Sequence, residues 1–467
     1  MSAQARELAR AALGDGAVWV VGGTVRDRLL ARSAPGPEDL DLAVAGDVEA
    51  AARALARAGR AAVFALSDEF GSWRVAARDG SWRVDLSPLQ GETIEEDLGH
   101  RDFTVNALAE PLSGGDPIDP AGGLADLNAR RLRAVSAEAF DADPLRVLRL
   151  ARFAADLGFE AERGTILAAR ERAPRITKVS PERIFAELKV IVAGPDPRTG
   201  RRMVDELDLI QEVLPELSQG RGVTQSHYHH LDVYDHTLAV LAAVLDLERV
   251  PEDTLGEHAA AVAAVFAEPL GDELTRGQAL RFGALLHDAA KPQTRQEFGG
   301  GRVGFPGHDS IGADVARGAL ARLRAGERLR SHVAALTRQH LRLGFLVHER
   351  PLPRRTVYRY LRECDPVEVD VTVLSVADRL ATRGRNADES IAKHLDLARE
   401  ILGEALAWRA SGRQPPLIRG DELARALEIE PGPRLGALLA EIEEARFAGD
   451  VTTPQEAIAL ARDLLAS

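Results

Sequence analysis

Apolar and polar positions alternate in short runs over the first part of the chain, and further on the period lengthens. Ala17–Val21, Leu40–Val44, Trp73–Ala77 and Trp82–Leu86 read as strands, and Asp79-Gly80 between the last two is a hairpin signal. Residues 3–13, the run TVRDRLLA at 24–31 and Val48–Ala58 carry helical spacing, with Pro35 and Pro37 ending the loop behind the second helix. RDFTVNALA (101–109) reads as a capped helix start, which gives Thr104 a structural role. From Pro144 onward helical periodicity takes over, with breaks expected at 194–200, 218–222, 250–275 and 411–416. In the tail, Leu435, Leu438, Leu439 and Ile442 share one helical face. The pattern predicts a small α/β head, ending near residue 138, on a long helical body.

A chain of 467 residues is too long for one ordinary core. Aromatic residues make up only 4%, which argues against a strand binder built on rows of stacking rings. A net charge of −13 opposes a polyanionic partner as a mean field, but it leaves room for a local basic surface. Arginine supplies nearly all the positive charge; the lysines are Lys178, Lys189, Lys291 and Lys393. The single cysteine, Cys364, excludes an intrachain disulfide. MSAQARELARAALGDG lacks the apolar run of a signal peptide, and no stretch has the length of a membrane span. These features predict a soluble cytoplasmic protein with no membrane partner.

Candidate chemistry sits in three places. In DLDL, strand geometry puts Asp39 and Asp41 on one face and their leucines in the core. Two neighbouring carboxylates call for a cation, and oxygen-only ligation suits Mg²⁺. Asp85, in WRVDL, offers a third carboxylate from another strand. Ahead of DLDL stands VVGGTVRDRLL, where Gly22 and Gly23 allow close backbone approach to a phosphate before a helix N-terminus, with Arg26 in its first turn. Asp143 and Arg146 are three apart where a helix begins. His236, the adjacent His287-Asp288, His308, His340 and Asp378 form a candidate metal set, and Lys291 follows the pair.

GGTVRDRLL followed by DLDL resembles the signature of the class II polymerase-β-like nucleotidyltransferases. That branch includes CCA-adding enzymes, their CC-only and A-only relatives, and bacterial poly(A) polymerases. EEDLGHRDFTVNALA, IDPAGGLADLNARRLRAV, DPLRVLRLARFAADLGF and SPERIFAELKVIV are similar to its further motifs, in order, and the tail from LIRGDELARALEI resembles the end of its longer members. The middle of the chain resembles the HD phosphohydrolase superfamily. The resemblance implies a polymerase-β-like nucleotidyltransferase head at 1–138, a helical neck for base selection and RNA binding at 139–220, an HD domain at 221–390 and a helical C-terminal tail at 391–467.

It further implies a template-independent enzyme that transfers CMP, and AMP, from CTP and ATP to the 3′-hydroxyl of tRNA. Asp39, Asp41 and Asp85 would be catalytic, with Mg²⁺ on Asp39 and Asp41. Gly22, Gly23, Arg26, Arg101, Asp102 and Asn106 would bind the nucleotide. The family's EDxxR motif falls on Ala142–Arg146. There Asp143 would accept the amino hydrogen of cytosine or adenine while Arg146 serves the ring nitrogen; without the resemblance, the pair reads equally well as a helix cap and a surface ion pair. His100 and Ala142 depart from the arginine and glutamate usual at their positions. The HD resemblance implies a divalent metal of unspecified identity on His236, His287, Asp288, His308, His340 and Asp378. Poly(A) polymerase, or an HD phosphodiesterase as the main activity, remain as alternatives. Finally, only LSPLQGETIEEDLGH separates Asp85 from Arg101, where CCA-adding relatives carry a longer flexible loop that helps reshape the pocket from CTP to ATP. The short segment resembles CC-only members, which work beside a separate A-adding enzyme.

Overall fold

The amphipathic run at the N-terminus forms helix α1 (Ala3–Leu13), whose Ala5 and Ala9 are fully buried. A computed structural model describes residues 3–14, 16–32, 38–67, 71–384, 386–411 and 415–466. Pro35, Pro37 and part of the break expected at 411–416 lie outside these. The chain divides into two compact units, residues 1–213 and 214–467.

The first unit contains a six-stranded mixed sheet. Its strands are β1 (Val18–Val21), β2 (Glu38–Val44), β3 (Ala62–Ser67), β4 (Ser72–Ala76), β5 (Trp82–Pro88) and β6 (Ala109–Pro111), in the order β3-β4-β5-β2-β1-β6. β2 and β5 are parallel; the other neighbours are antiparallel. Leu40, Leu42, Val84 and Leu86 are buried on one face of the sheet. α1 and α3 (Val48–Gly59) pack against that side, so the carboxylates and arginines that alternate with these residues point the other way.

The remaining helices of this unit begin with α2 (Gly23–Leu29), α4 (Ile94–Gly99), α5 (Gly123–Asn128), α6 (Ala139–Ala142) and α7 (Leu145–Leu157). α8 (Arg163–Arg172), α9 (Pro181–Ala193) and α10 (Pro197–Glu206) follow. α7, α9 and α10 pack on one another through Leu148, Ala151, Ile184, Leu188 and Val204, all buried.

RDFTVNALA departs from the expected helix start. Only Thr104–Asn106 turns, as a single 3₁₀ turn, and the chain then enters β6. The Ala109 backbone pairs with Ile118 and with Val21 of β1, which draws the chain out of a helix, and a buried carboxylate holds the turn. Asp126 accepts a hydrogen bond from the Thr104 hydroxyl (2.6 Å) and from the Nε groups of Arg131 (2.6 Å) and Arg133 (2.9 Å). Asp126→Ala would leave two guanidinium groups and a hydroxyl without this acceptor. Both arginines reach solvent, so we expect a loss of ~1–3 kcal/mol, mainly from the buried hydroxyl, read as a lower urea midpoint for the first unit. Two strands of the six-stranded sheet, β3 and β6, escape the sequence pattern, and the break expected at 250–275 holds the helix Ala259–Phe266. At 194–200, α10 already begins at Pro197, with the Asp196 carboxylate accepting from the Thr199 N–H.

The second unit is mainly helical. Val233–Arg249, Arg276–Leu286, Glu327–Gln339 and Glu368–Ala381 pack together. In the tail, Gly420–Leu427, Pro433–Ala448 and Pro454–Ala466 enclose a small core of Leu423, Leu435, Leu438, Ile442 and Ala457, with Leu439 partly buried against it. Among the described residues, no helix is long and apolar enough to cross a membrane.

Candidate functional site

Strand register assembles the carboxylates of the head. Asp41 on β2 stands opposite Asp85 on β5, and Asp39 stands opposite Arg83. Burial, then the negative charges of Asp39 and Asp85, push the Asp41 carboxyl up to about 6. Such a group gains from a cation placed between the three, and an all-oxygen donor set fits a hard divalent ion. Two arginines that the sequence reading did not single out already engage the flanking acids. Arg74 grips Asp85 with two hydrogen bonds (2.6 and 2.7 Å), and Arg83 grips Asp39 in the same way (2.8 and 2.7 Å). The alternation that exposes the aspartates also exposes these arginines, so a period-2 count of charges could have found them.

The glycine turn lies beside this face. Gly22 has φ 68° and ψ −132°, a conformation that favours glycine, and a Cβ there would sit 2.8 Å from Nη1 of Arg101. Gly23 then opens α2, where the Thr24 hydroxyl bonds the strand backbone at Asp39 and Asp41. Arg26 is buried rather than extended toward solvent. It donates to Asn106 Oδ1 (2.6 Å) and to both oxygens of Asp27 (2.8 and 3.0 Å). Asn106 in turn donates to Asp102 Oδ1 (2.9 Å), and Arg149 of α7 donates to Asp102 Oδ2 (2.9 Å). Burial pushes Asp102 up, but Arg149, the Asn106 amide and the Phe103 N–H together hold it below the usual carboxylate range. Arg26, Asn106 and Asp102 thus form one buried chain joined to α7 at Arg149, a partner for which the motif gave no signal. Arg101 is tied to Asp97 (3.0 Å).

Asp143 and Arg146 do not bond each other, so of the two readings without the resemblance the local cap forms and the ion pair between them does not. Asp143 Oδ1 accepts the Leu145 N–H (3.1 Å), and its Oδ2 accepts from Arg183 on α9 (2.6 Å). Arg146 donates to the backbone carbonyls of His100 (2.7 Å), Arg101 (3.1 Å) and Ala139 (3.2 Å). It thereby fastens α7 to the segment that carries Arg101 and Asp102.

The second unit brings all six metal candidates together. His236, His287 and Asp378 offer ligand atoms within 4.8 Å of one another, and Asp288, His308 and His340 do the same. Asp288 lies between the groups: its Oδ2 is 3.1 Å from His287 Nε2 and 3.6 Å from His236 Nε2, and its Oδ1 is 3.4 Å from His308 Nε2 and 3.7 Å from His340 Nε2. His287, His308 and His340 each direct Nδ1 at the carbonyl three residues back (2.9, 2.7 and 2.7 Å). Nδ1 is then the donor, and each Nε2 lone pair faces the centre. The buried Nε2 atoms of His236, His287 and His308 make no hydrogen bond among the described residues. A cation would satisfy them, and mixed imidazole and carboxylate ligation suits a transition metal. Lys291 lies 2.7 Å from Asp288 Oδ2 and donates to Gln225 (2.7 Å). His229, unnoticed in the sequence, packs edge-on against His236 with ring centres 5.0 Å apart. Burial, then Lys291, pulls its pKa down to about 3.

Comparison with known proteins gives three matches to family models. These are a poly(A) polymerase head domain over residues 18–90 and 69–133, a probable RNA and SrmB-binding site of polymerase A over 158–220, and an HD domain over 233–383. The chain is 38% identical to an A-adding tRNA nucleotidyltransferase of Deinococcus radiodurans, over 94% of this chain and 93% of that protein. It is 34% identical to a CC-adding tRNA nucleotidyltransferase of Thermus thermophilus, over 94% and 91%. In fold it is similar to a Thermotoga maritima CCA-adding enzyme solved in complex with tRNA, with a TM-score of 0.63 and 20% identity over 99% of this chain and 94% of that one.

Proposed function

Because the chain belongs to the family of tRNA nucleotidyltransferases and poly(A) polymerases, we propose that it builds the 3′ end of tRNA from CTP, in the cytoplasm, and that it stops after adding CC. The observation that carries the transferase reading is the register of Asp41 against Asp85 with Asp39 alongside. Asp39 and Asp41, with Asp85 near them, would hold Mg²⁺ ions, which would supply charge stabilisation at the α-phosphate and lower the pKa of the attacking tRNA 3′-hydroxyl. The new bond joins that 3′-oxygen to the α-phosphorus, and pyrophosphate leaves. Gly22, Gly23 and Arg101 border the triphosphate. Arg26 acts through Asn106 and Asp102, its buried partners, to hold that border in place. Asp143 and Arg146 read the amino group and ring nitrogen of the incoming base.

The CC-only reading rests on the connector after Asp85. β5 ends at Pro88 and α4 begins at Ile94. The residues between are tied down: the Gln90 N–H donates to Asp97 (3.0 Å), and the Glu92 N–H to Glu96 (2.6 Å). A five-residue link spans at most ~18 Å when fully extended, and one bound at two points has little reach for reshaping a pocket. The relatives' names divide between A-adding and CC-adding, so the assay must separate them. Purified protein should extend tRNA lacking CCA by CC from CTP, and should add little to tRNA ending in CC when given ATP alone. Efficient conversion of the latter to CCA would refute the CC limit and leave the transferase reading intact. Long A tails on varied RNAs would identify a poly(A) polymerase instead. A product ending in CC would need a separate A-adding enzyme downstream.

The converging Nε2 atoms of the second unit support a further, metal-dependent phosphohydrolase activity at His236, His287, Asp288, His308, His340 and Asp378. Lys291 stands beside Asp288, where a cation favours an incoming phosphate.

A further inference from the structure

Asp143 sits in extended backbone (φ −145°, ψ 104°) between α6 and α7, and both of its carboxylate oxygens are occupied. Oδ1 takes the Leu145 N–H, a local bond that any residue following the turn could donate. Oδ2 takes Arg183, from the first turn of a different helix. Arg146, the partner that sequence spacing suggests, is instead committed to three backbone carbonyls. We propose that Arg183 is a positioning residue that fixes the plane of the Asp143 carboxylate and so sharpens selection for bases bearing an amino group. The inference rests on the base-reading role of Asp143 and Arg146 proposed above.

A carboxylate has roughly four acceptor positions. Two of Asp143's are used, which leaves room for the amino hydrogen of cytosine. A carboxylate held at one oxygen can turn about its terminal bond and present its lone pairs over a wide arc. Held at both, it presents them in one direction. Uracil places a carbonyl oxygen where cytosine has its amino group. Repulsion between that oxygen and the carboxylate discriminates best when the carboxylate cannot turn aside. Arg183 can act as a fixed post because the next residues of α9, Ile184 and Phe185, are buried, together with Leu188. The Arg183 side chain itself is half exposed, so the pair contributes little to stability. Its loss should therefore register in selectivity and not in melting.

The test compares Arg183→Ala, Arg183→Lys and Asp143→Ala by steady-state kinetics with CTP and with UTP on tRNA lacking CCA, alongside thermal melting. For Arg183→Ala we expect KM for CTP to rise and the CTP/UTP ratio of kcat/KM to fall, each by about tenfold, as for coupled neighbours. The melting temperature should hold, and Arg183→Lys should recover part of the ratio. Adding Arg183→Ala to Asp143→Ala should lower the ratio no further. An unchanged ratio in Arg183→Ala, with the ratio lost in Asp143→Ala, overturns the role of Arg183 and keeps the base reading. Full selectivity in Asp143→Ala removes the base reading, and this inference with it. An equal loss for both nucleotides with lowered melting makes Arg183 a packing residue and overturns the proposal.

Discussion

Asp41→Ala is expected to yield a folded protein whose nucleotide addition is slower by about 10³-fold or more, the equivalent of roughly 4 kcal/mol of lost cation-mediated stabilisation. Folding should not suffer. Burial first, and then the charges of Asp39 and Asp85, make an ionised Asp41 costly and push it up to about 6, so removing this carboxylate relieves both. Protons and cations compete for the same oxygens there. As pH falls through about 6, protonation of Asp41 should weaken Mn²⁺ or Mg²⁺ affinity, and as pH rises the affinity should recover. Titration of Mn²⁺ followed by paramagnetic resonance measures this independently of turnover. Asp39→Ala should lose activity similarly, although Asp39 is the more exposed and is already paired with Arg83. Rapid transfer by a well-folded Asp41→Ala protein would remove the head carboxylates from the mechanism.

His287→Ala with Asp288→Ala should abolish bound transition metal in the purified protein, together with any phosphodiesterase activity. Nucleotide addition should stay within about threefold of wild type, because the two substitutions lie in the second unit and the transferase carboxylates in the first. The double substitution removes the carboxylate shared by both ligand groups and one ring facing it, so neither group keeps its geometry. Elemental analysis of wild-type and variant protein, prepared side by side, reads the result. Wild-type protein repeatedly purified without metal, and unable to take up Mn²⁺, Ni²⁺ or Fe²⁺, would reduce this unit to a scaffold.

Much of both sites is legible in the chain itself, and the rest is not, for a physical reason. The alternation in DLDL decides by steric geometry that Leu40 and Leu42 go inward and that Asp39 and Asp41 share the opposite face. Asp79-Gly80 between alternating runs pairs β4 with β5 through a local turn. The metal candidates of the second unit likewise stand out by residue type. Local order of this kind is encoded within a few residues. Tertiary structure decides which distant groups meet. Parallel pairing of β2 with β5, across more than forty residues, is what puts Asp85 beside Asp41. Packing of α9 on α7 supplies Arg183 to Asp143, and pairing of β6 with β1 takes the end of RDFTVNALA out of the helix that its local pattern favours. β3 and β6 form because neighbouring strands offer them hydrogen bonds, not because of a pattern of their own. Partners separated by tens of residues leave no periodic trace in the sequence, since any of several arginines could satisfy one carboxylate and only the packed chain selects among them.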